Sequence, residues 1–212
     1  MEDNAQQIAN QTIYVVDDDQ DVRDSLKWLL ESVGLQVSCY DTAMAFIEAY
    51  QPGSPGCIVM DVRMPGMSGV QAQKKLPEHQ IDLPVIMISA HGSIDMAVTA
   101  MTQGAVTFLE KPFNDQALID HVQAALEKDS VNRAQQGVLS DRQAHYDSLT
   151  KRERQVFELV VKGLSNQEMA DGLGINKKTV EGHRANMMAK MDVGSLSELV
   201  HLAISIGVVD NT

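Results

Sequence analysis

The sequence predicts an α/β protein: a doubly wound, five-stranded parallel sheet, followed by a smaller all-α domain of four helices. Short apolar runs alternate with helical patterns through residues 1–128, which is typical of successive βαβ units. Residues 149–212 show only helical periodicity. A chain of 212 residues is long enough for two modest cores, so two domains are expected.

Five runs rich in β-branched and apolar residues predict the strands of the sheet. They are Ile13–Val16, Gln36–Tyr40, Cys57–Met60, Val85–Ser89 and Val106–Glu110. Apolar residues recur near the helical period between and after these runs, so five helices are expected to cover the two faces of the sheet.

The polar residues 129–148 predict a linker between the two domains. They include no proline and several good helix formers, so we expect them to continue the fifth helix. Thr150 and Glu153 have the spacing of a capping box, which predicts that a new helix begins there. The four predicted helices are Lys151–Lys162, Asn166–Gly172, Lys177–Met191 and Ser195–Ile206.

The charge is unevenly distributed along the chain. The net charge is −12, and residues 1–128 carry 18 acidic against 7 basic side chains, whereas residues 150–212 carry 8 of each. Such a balance argues against a protein that coats nucleic acid or membrane with its whole surface. Between Lys177 and Lys190, four basic residues accompany one acidic residue, which predicts a local basic patch.

The sequence also indicates where the protein works. Residues 1–10 do not resemble a signal peptide, and no apolar run approaches the ~20 residues that a membrane span needs, so no membrane association is expected. Cys39 and Cys57 lie in predicted buried strands and do not have a metal-ligand spacing. We expect both to be reduced core thiols in a cytoplasmic protein.

Four predicted strands stop at residues that can handle phosphate. The first strand precedes Asp17 and Asp18, the third precedes Asp61, the fourth ends at Ser89, and the fifth precedes Lys111. In an open parallel sheet, ligands bind beyond the carboxyl ends of the strands. The sequence therefore predicts one site with three carboxylates, a hydroxyl and an ammonium.

Asp61 is the candidate phosphoacceptor, because a carboxylate can hold a phosphoryl group as an acyl phosphate. An incoming phosphoryl group would be repelled by three acids, so Mg²⁺ is expected, with Asp18 and Asp61 as direct ligands and Asp17 acting through water. Lys111 supplies a second positive charge, and the hydroxyl of Ser89 can hydrogen-bond the phosphoryl oxygens.

Four motifs together resemble the receiver domain of two-component response regulators, closest to the FixJ-like group, over about residues 10–128. They are Val16-Asp17-Asp18-Asp19, the run from Met60 to Gly69, Ser89-Ala90-His91-Gly92, and Glu110-Lys111-Pro112-Phe113. The resemblance implies a flavodoxin-like fold and phosphorylation of Asp61 by a sensor histidine kinase.

The resemblance also implies details of the site. The backbone carbonyl of Arg63 joins Asp18 and Asp61 around Mg²⁺, and the peptide bond before Pro112 is cis. The aromatic switch position of the family corresponds to Phe108, which would move as Ser89 is drawn toward the phosphoryl group. Phe108 as an ordinary strand residue is the alternative that the sequence leaves open.

The stretch from Leu164 to Val180 has the pattern of a helix-turn-helix, with a short helix, a turn at Gly174 and a longer helix from Lys177. In the longer helix, four apolar residues are expected to pack inward: Val180, Met187, Met188 and Met191. An ordinary helical hairpin with a solvated basic face has the same charge pattern.

The motifs Leu149-Thr150-Lys151-Arg152-Glu153-Arg154, Gly163-Leu164-Ser165-Asn166 and Lys178-Thr179-Val180-Glu181-Gly182-His183-Arg184 resemble the LuxR/NarL output domain. This resemblance implies that the longer helix enters the major groove and that the last helix dimerises. Candidate phosphate contacts are Lys177, Lys178, Thr179, His183 and Arg184, and candidate base contacts are Glu181, Gly182 and Ala185. Gly182 departs from the bulkier aliphatic residue common in the family.

These features predict a phosphorylation-controlled transcription regulator that is not an enzyme beyond its own phosphorylation and dephosphorylation. Expected partners are a histidine kinase, promoter DNA, RNA polymerase and a second copy of the chain, and the resemblance favours activation. A phosphatase-like enzyme would want a second acid where Arg63 stands. A ligand-sensing regulator would not need the magnesium carboxylates. An atypical receiver that switches without phosphate is the remaining alternative.

Overall fold

The computed structural model describes residues 11–90 and 93–209. The chain divides into two compact units, Met1–Arg133 and Ala134–Thr212. His91 and Gly92, which belong to one of the receiver-like motifs, lie outside the described residues, as do residues 1–10 of the predicted first domain.

A five-stranded parallel sheet forms the centre of the first unit. Its strands are β1 (Thr12–Val16), β2 (Gln36–Tyr40), β3 (Gly56–Asp61), β4 (Val85–Ser89) and β5 (Thr107–Glu110). The strand order is β2-β1-β3-β4-β5, and every neighbouring pair is parallel. The predicted fold class is confirmed. The short apolar runs that predict the strands are the ones that pair, and the central strands β3 and β4 are buried on both faces.

Five helices cover the two faces of this sheet. They are α1 (Gln20–Ser32), α2 (Ala43–Ala49), α3 (Gly69–Lys75), α4 (Ile94–Thr102) and α5 (Asp115–Asp147), with a 3₁₀ helix at Leu76–His79. Helices α2, α3 and α4 pack on one face and share a core with Met60 and Met87, while α1 and α5 pack on the other with Val59 and Ile88. Successive residues of one strand thus point into the cores on opposite faces of the sheet.

Four further helices form most of the second unit. They are α6 (Lys151–Val161), α7 (Asn166–Leu173), α8 (Lys177–Lys190) and α9 (Leu196–Ser205). The capping box of Thr150 and Glu153 is present at the start of α6, as the sequence predicts. Gly174 ends α7 in the left-handed region, with φ of 65°, so the chain turns sharply into α8.

The core of the second unit confirms the inward face of α8. Val180, Met187 and Met191 are buried, and Met188 packs against them from a half-buried position. The last turn of α5 also belongs to this packing, because the ring of Tyr146 meets that of Phe157 edge-on at 5.1 Å.

Helix α5 runs without a break through residues that the sequence predicts to be a linker. Its end is tied to α6 by Arg154, whose guanidinium carbon lies 5.0 Å from the centre of the Tyr146 ring and which donates to the Asp147 carbonyl oxygen at 2.9 Å. This aromatic contact is not visible in the sequence, since Tyr146 stands alone in a polar stretch.

The two cysteines differ in environment. Cys57 in β3 is buried, and burial raises the pKa of its thiol. Cys39 is only half-buried, because β2 lies at the edge of the sheet, so the expectation of two buried core thiols is wrong for Cys39. Both are free thiols. Among the described residues, no helix combines the length and hydrophobicity that crossing a bilayer requires.

A buried carboxylate fastens α5 to the amino-terminal edge of the sheet. Asp129 is 2% exposed, and its Oδ2 accepts from Gln11 Nε2 at 3.3 Å, from the Gly56 backbone N–H at 3.0 Å and from Arg133 Nε at 2.7 Å. The other Arg133 nitrogens donate to carbonyl oxygens of residues 53 and 54, at 2.7 and 2.6 Å. We call these four residues (Gln11, Gly56, Asp129 and Arg133) the Asp129 clamp.

We expect Asp129→Ala to lower the free energy of unfolding of the first unit by about 3 kcal/mol, because it leaves the Arg133 cation and the buried Gly56 N–H without their acceptor. Urea denaturation followed by circular dichroism measures the loss, and amide hydrogen exchange in β1 and β3 assigns it to this unit. Asp120→Ala, an exposed acid on the same helix, is the control and should change stability by less than about 0.5 kcal/mol. Equal losses in the two variants would contradict the clamp.

Candidate functional site

The four predicted phosphate-handling positions lie at the carboxyl ends of β1, β3, β4 and β5. Lys111 contacts both Asp17 and Asp61, since its Nζ donates to Asp17 Oδ2 at 2.7 Å and to Asp61 Oδ1 at 2.9 Å. Ser89 ends β4 and is buried. The structure therefore brings an ammonium and two carboxylates into direct contact at this edge of the sheet.

Backbone contacts hold Asp61 in place at the end of β3. Its Oδ2 accepts from the Arg63 backbone N–H at 2.6 Å, and the next residue, Val62, continues the pairing with β4 through the Ile88 carbonyl oxygen at 2.9 Å. Gly69 begins α3 against this turn, where an added Cβ would overlap the Asp61 carbonyl oxygen. Only a glycine therefore allows the helix to approach Asp61 this closely.

The three consecutive acids after β1 have three different environments. Asp17 is 1% exposed, and its Oδ1 accepts from the Asp19 backbone N–H at 2.9 Å. Asp19 caps α1 by accepting from the Asp21 backbone N–H at 2.9 Å. Asp18 is exposed. Asp17 is thus the member of the run that Lys111 neutralises.

Burial and the neighbouring charges shift the pKa values of Asp61 and Lys111 in opposite directions. Burial raises the pKa of Asp61, while the hydrogen bonds from Lys111 and the Arg63 backbone oppose that rise. For Lys111, burial favours the neutral amine, but its hydrogen bonds to Asp17 and Asp61 outweigh this and raise its pKa. Lys111 therefore carries its positive charge at neutral pH.

The residues at this edge suit a hard divalent cation. In the described part of the chain, no three carboxylate, imidazole or thiolate side chains are grouped closely enough to enclose a metal ion. Mg²⁺ does not need such a cage, because it binds through one or two carboxylates and keeps several waters. Asp61 and the buried Asp17 offer carboxylate oxygens, and Asp18, the next residue after Asp17, is exposed, so the available oxygen donors are of the kind that Mg²⁺ prefers.

Phe108 lies in β5, where its Cα pairs with that of Met87 in the neighbouring strand. Its ring is half-buried against the core on the α2, α3 and α4 face. The Lys111–Pro112 peptide bond is cis, as the family resemblance implies.

Helix α8 presents most of the predicted DNA-contacting residues to solvent. The exposed ones are Lys177, Lys178, Thr179, Glu181, Gly182 and Ala185, whereas His183 and Arg184 are half-buried. The helix begins at Asn176, whose Oδ1 accepts from the Thr179 backbone N–H at 2.7 Å. This cap satisfies one of the free N–H groups at the start of α8.

Two basic residues of the predicted patch are bound inside the domain instead of standing free. Arg184 Nη1 donates to Asn166 Oδ1 at 2.9 Å, and Lys190 Nζ donates to Glu153 Oε2 at 2.7 Å. The sequence predicts both as members of the basic patch. Lys177 and Lys178 remain as its exposed cations.

Comparison with known proteins identifies the families of both domains. Residues 13–123 match the response regulator receiver domain, and residues 147–203 match the LuxR family of bacterial regulatory proteins. The chain is a two-component response regulator with a LuxR-type DNA-binding domain. It is 43% identical over 199 residues to the transcriptional regulatory protein FixJ of Bradyrhizobium diazoefficiens, which covers 94% of this chain and 97% of FixJ. It is 46% identical over 196 residues to FixJ of Azorhizobium caulinodans, covering 92% and 93%.

Solved structures lead to the same family. The response regulator StyR has a TM-score of 0.83 and 43% identity, over 92% of this chain and 98% of StyR. Full-length FixJ from B. japonicum has a TM-score of 0.57 and 43% identity, over 94% of this chain and 98% of that one. The FixJ-like resemblance inferred from the motifs is confirmed.

The ion pair of Glu153 and Lys190 joins the start of α6 to the end of α8 in this response regulator. Glu153 is buried, and its Oε2 also accepts from the Thr150 backbone N–H at 2.8 Å. The hydrogen bond from Lys190, followed by that from Thr150, lowers the pKa of Glu153 from 4.5 to about 2. The capping box predicted the Thr150 contact, but its spacing carried no information about Lys190.

The lowered pKa predicts an acid-dependent loss of stability. The ionised Glu153 stabilises the fold fully above about pH 4.5, and this contribution declines as the pH falls toward about 2. At about pH 7, Glu153→Gln should lower the free energy of unfolding of the second unit by about 1–2 kcal/mol, a value reduced by solvent screening because the Lys190 side chain is 37% exposed.

Amide hydrogen exchange in α6 and α8, measured across that pH range, checks this prediction. The difference between wild type and Glu153→Gln should shrink as the pH falls. Glu158→Gln, an exposed glutamate on the same helix, is the control and should show no such trend. A difference that stays constant with pH would contradict the role of the Glu153 charge.

Proposed function

We propose that Asp61 accepts a phosphoryl group from a sensor histidine kinase in the presence of Mg²⁺, and that this event controls promoter binding by the LuxR-type domain. The contact of Lys111 with both Asp17 and Asp61, at 2.7 and 2.9 Å, carries the proposal. It holds a cation beside the acceptor carboxylate, where an incoming phosphoryl group would otherwise meet only negative charge.

In the proposed transfer, an Asp61 carboxylate oxygen attacks phosphorus, and the bond between phosphorus and the kinase histidine nitrogen breaks with its electron pair left on that nitrogen. The Lys111 ammonium follows the negative charge from the carboxylate to the phosphoryl oxygens. The hydroxyl of Ser89 donates a hydrogen bond to one of those oxygens.

Asp18, Asp61 and the backbone carbonyl of Arg63 are the proposed direct ligands of Mg²⁺, and Asp17 is proposed to act through a water. When bound, the ion offsets the charge of the phosphoryl oxygens. The burial of Asp17 against Lys111 and the exposure of Asp18 support this division of roles, because the exposed carboxylate is the one free to turn toward an ion.

We further propose that Ser89 and Phe108 form the switch, and that phosphorylation promotes homodimerisation, promoter binding and recruitment of RNA polymerase, with activation as the outcome. The proposed domains are a receiver at 1–128, a linker at 129–148 and a DNA-binding domain at 149–212. The protein is proposed to work in the cytoplasm. Seven of the eight residues predicted on α8 are its proposed DNA contacts (Lys177, Lys178, Thr179, Glu181, Gly182, His183 and Ala185), and the eighth predicted contact, Arg184, is bound to Asn166 inside the domain.

Incubation with acetyl phosphate and Mg²⁺ tests the acceptor. The native chain should gain the mass of one phosphoryl group and bind DNA more tightly, whereas Asp61→Asn should do neither, because the amide oxygen is a poor nucleophile. Intact-mass spectrometry and peptide mapping give the readout, and a chelator should abolish the mass gain. Asp82→Asn, an exposed acid, is the matched control and should behave as wild type.

The same experiment separates the alternatives. If the chain switched without phosphate, Asp61→Asn would leave signal-dependent DNA binding intact. Phosphorylation at another residue, or an undiminished mass gain after chelation, would exclude the proposed site.

The proposed switch predicts that Phe108→Ala uncouples output from phosphorylation. Asp61 should still be phosphorylated by acetyl phosphate to the wild-type extent, but the gain in DNA affinity should fall at least about tenfold, which is about 1.4 kcal/mol of coupling. Phe113→Ala is the control. It removes another half-buried ring, shortly after β5, and shows the effect of lost packing alone. If Phe108→Ala kept the full gain in affinity, Phe108 would be an ordinary strand residue.

A further inference from the structure

Arg184 makes a contact that its predicted role as a phosphate ligand does not explain. It lies midway along α8, and its Nη1 donates at 2.9 Å to the Oδ1 of Asn166, the first residue of α7. Both side chains are half-buried. The bond therefore joins the two helices of the helix-turn-helix at a point well away from the turn at Gly174 that also connects them.

The exposed cations of α8 lie elsewhere on the helix. Lys177 and Lys178 form its first turn and are exposed, and Asn176 caps that turn. A flexible, fully hydrated ammonium at the surface is well suited to pair with a DNA phosphate. Arginine has a planar guanidinium that loses little freedom when it forms a hydrogen bond of fixed direction, so a guanidinium already bound to Asn166 can hold two helices in register.

We propose that Arg184 is a positioning residue that holds α8 against α7 through Asn166, and that Lys177 and Lys178 are the cationic phosphate contacts of this helix. The inference rests on the LuxR-type DNA-binding domain and is independent of phosphorylation at Asp61. It replaces the earlier expectation that Arg184 itself contacts phosphate.

The exposed face of α8 makes its orientation important for reading DNA. Gly182 and Ala185 have no side chain long enough to follow a base that moves away, so the backbone of α8 must lie close to the base edges. Glu181 needs a fixed direction to accept a hydrogen bond from a cytosine amino group. A change in the tilt of α8 should therefore weaken sequence recognition more than it weakens general attraction to the DNA backbone.

Salt dependence separates the two roles of a basic residue. Removing a phosphate contact reduces the slope of log affinity against log salt by about 0.9, whereas removing an internal contact leaves the slope unchanged. Positioning should instead appear in the specificity ratio, the affinity for a preferred duplex divided by that for a scrambled one.

The experiment uses the full chain and two labelled duplexes of about 30 base pairs, long enough for two half-sites one helical turn apart. One duplex is enriched by the wild-type chain from a random-sequence pool, and the other is its scrambled counterpart. Fluorescence anisotropy over a range of KCl concentrations gives both the slope and the specificity ratio. Enrichment and binding are performed without acetyl phosphate, so failure of the Asp61 proposal does not affect the result.

We expect Arg184→Gln and Asn166→Ala to lower the specificity ratio about tenfold each, with wild-type salt slopes, and the double variant to be no worse than either one. Lys178→Gln is the matched control on the same helix. It should reduce the slope by about 0.9 on both duplexes and leave the specificity ratio unchanged.

Asn166→Asp keeps an acceptor oxygen at the same place and provides the rescue. Its specificity ratio should stay near that of wild type, while its added negative charge weakens binding to both duplexes alike. Circular dichroism melting checks that each variant is folded. A slope reduced by about 0.9 in Arg184→Gln, or an unchanged specificity ratio in Asn166→Ala, would overturn the proposal.

Discussion

The ammonium of Lys111 lies between two carboxylates, Asp17 and Asp61, that would repel each other at the carboxyl edge of the sheet without it. The three groups come from the ends of β1, β3 and β5, so their contact depends on the strand order β2-β1-β3-β4-β5. Both carboxylates are buried, which makes an uncompensated charge there costly. The position of this cation is therefore the constraint on which the geometry of the receiver, and the chemistry proposed for Asp61, depend.

In the second unit, one ion pair and one hydrogen bond fix the DNA-binding helix. Lys190 and Arg184 of α8 are held by Glu153 on α6 and Asn166 on α7, so the helix is fixed to both of its neighbours by polar contacts. The exposed cations are confined to the first turn of α8, at Lys177 and Lys178. Basic residues that are close together in the sequence thus have different roles. Lys190 and Arg184 make contacts inside the domain, whereas Lys177 and Lys178 face outward and are available to pair with DNA phosphates.

Much of the fold follows from local pattern. Short apolar runs predicted all five strands, and the 3.6-residue period predicted the helices of both units, because burial is the common cause of the sequence pattern and of the packing. The half-exposure of Cys39 depends on the sheet order, which places β2 at an edge. The mixed polar and apolar residues of β2 do not by themselves give that position. The packing role of Tyr146 was likewise not predicted, because the ring that it contacts, Phe157, lies on the next helix.

The sequence by itself determined the family, the fold class and the identity of the residues at the strand ends, because motifs and periodicity are local properties of the chain. Tertiary structure decided which charged and polar groups are paired. That Asp17, and not Asp18, contacts Lys111, that Asp129 binds Arg133 beneath the sheet, and that Arg184 meets Asn166 all depend on directions in space. Pairing is a property of distance and burial, and residues far apart in sequence carry no mark of either until the chain has folded.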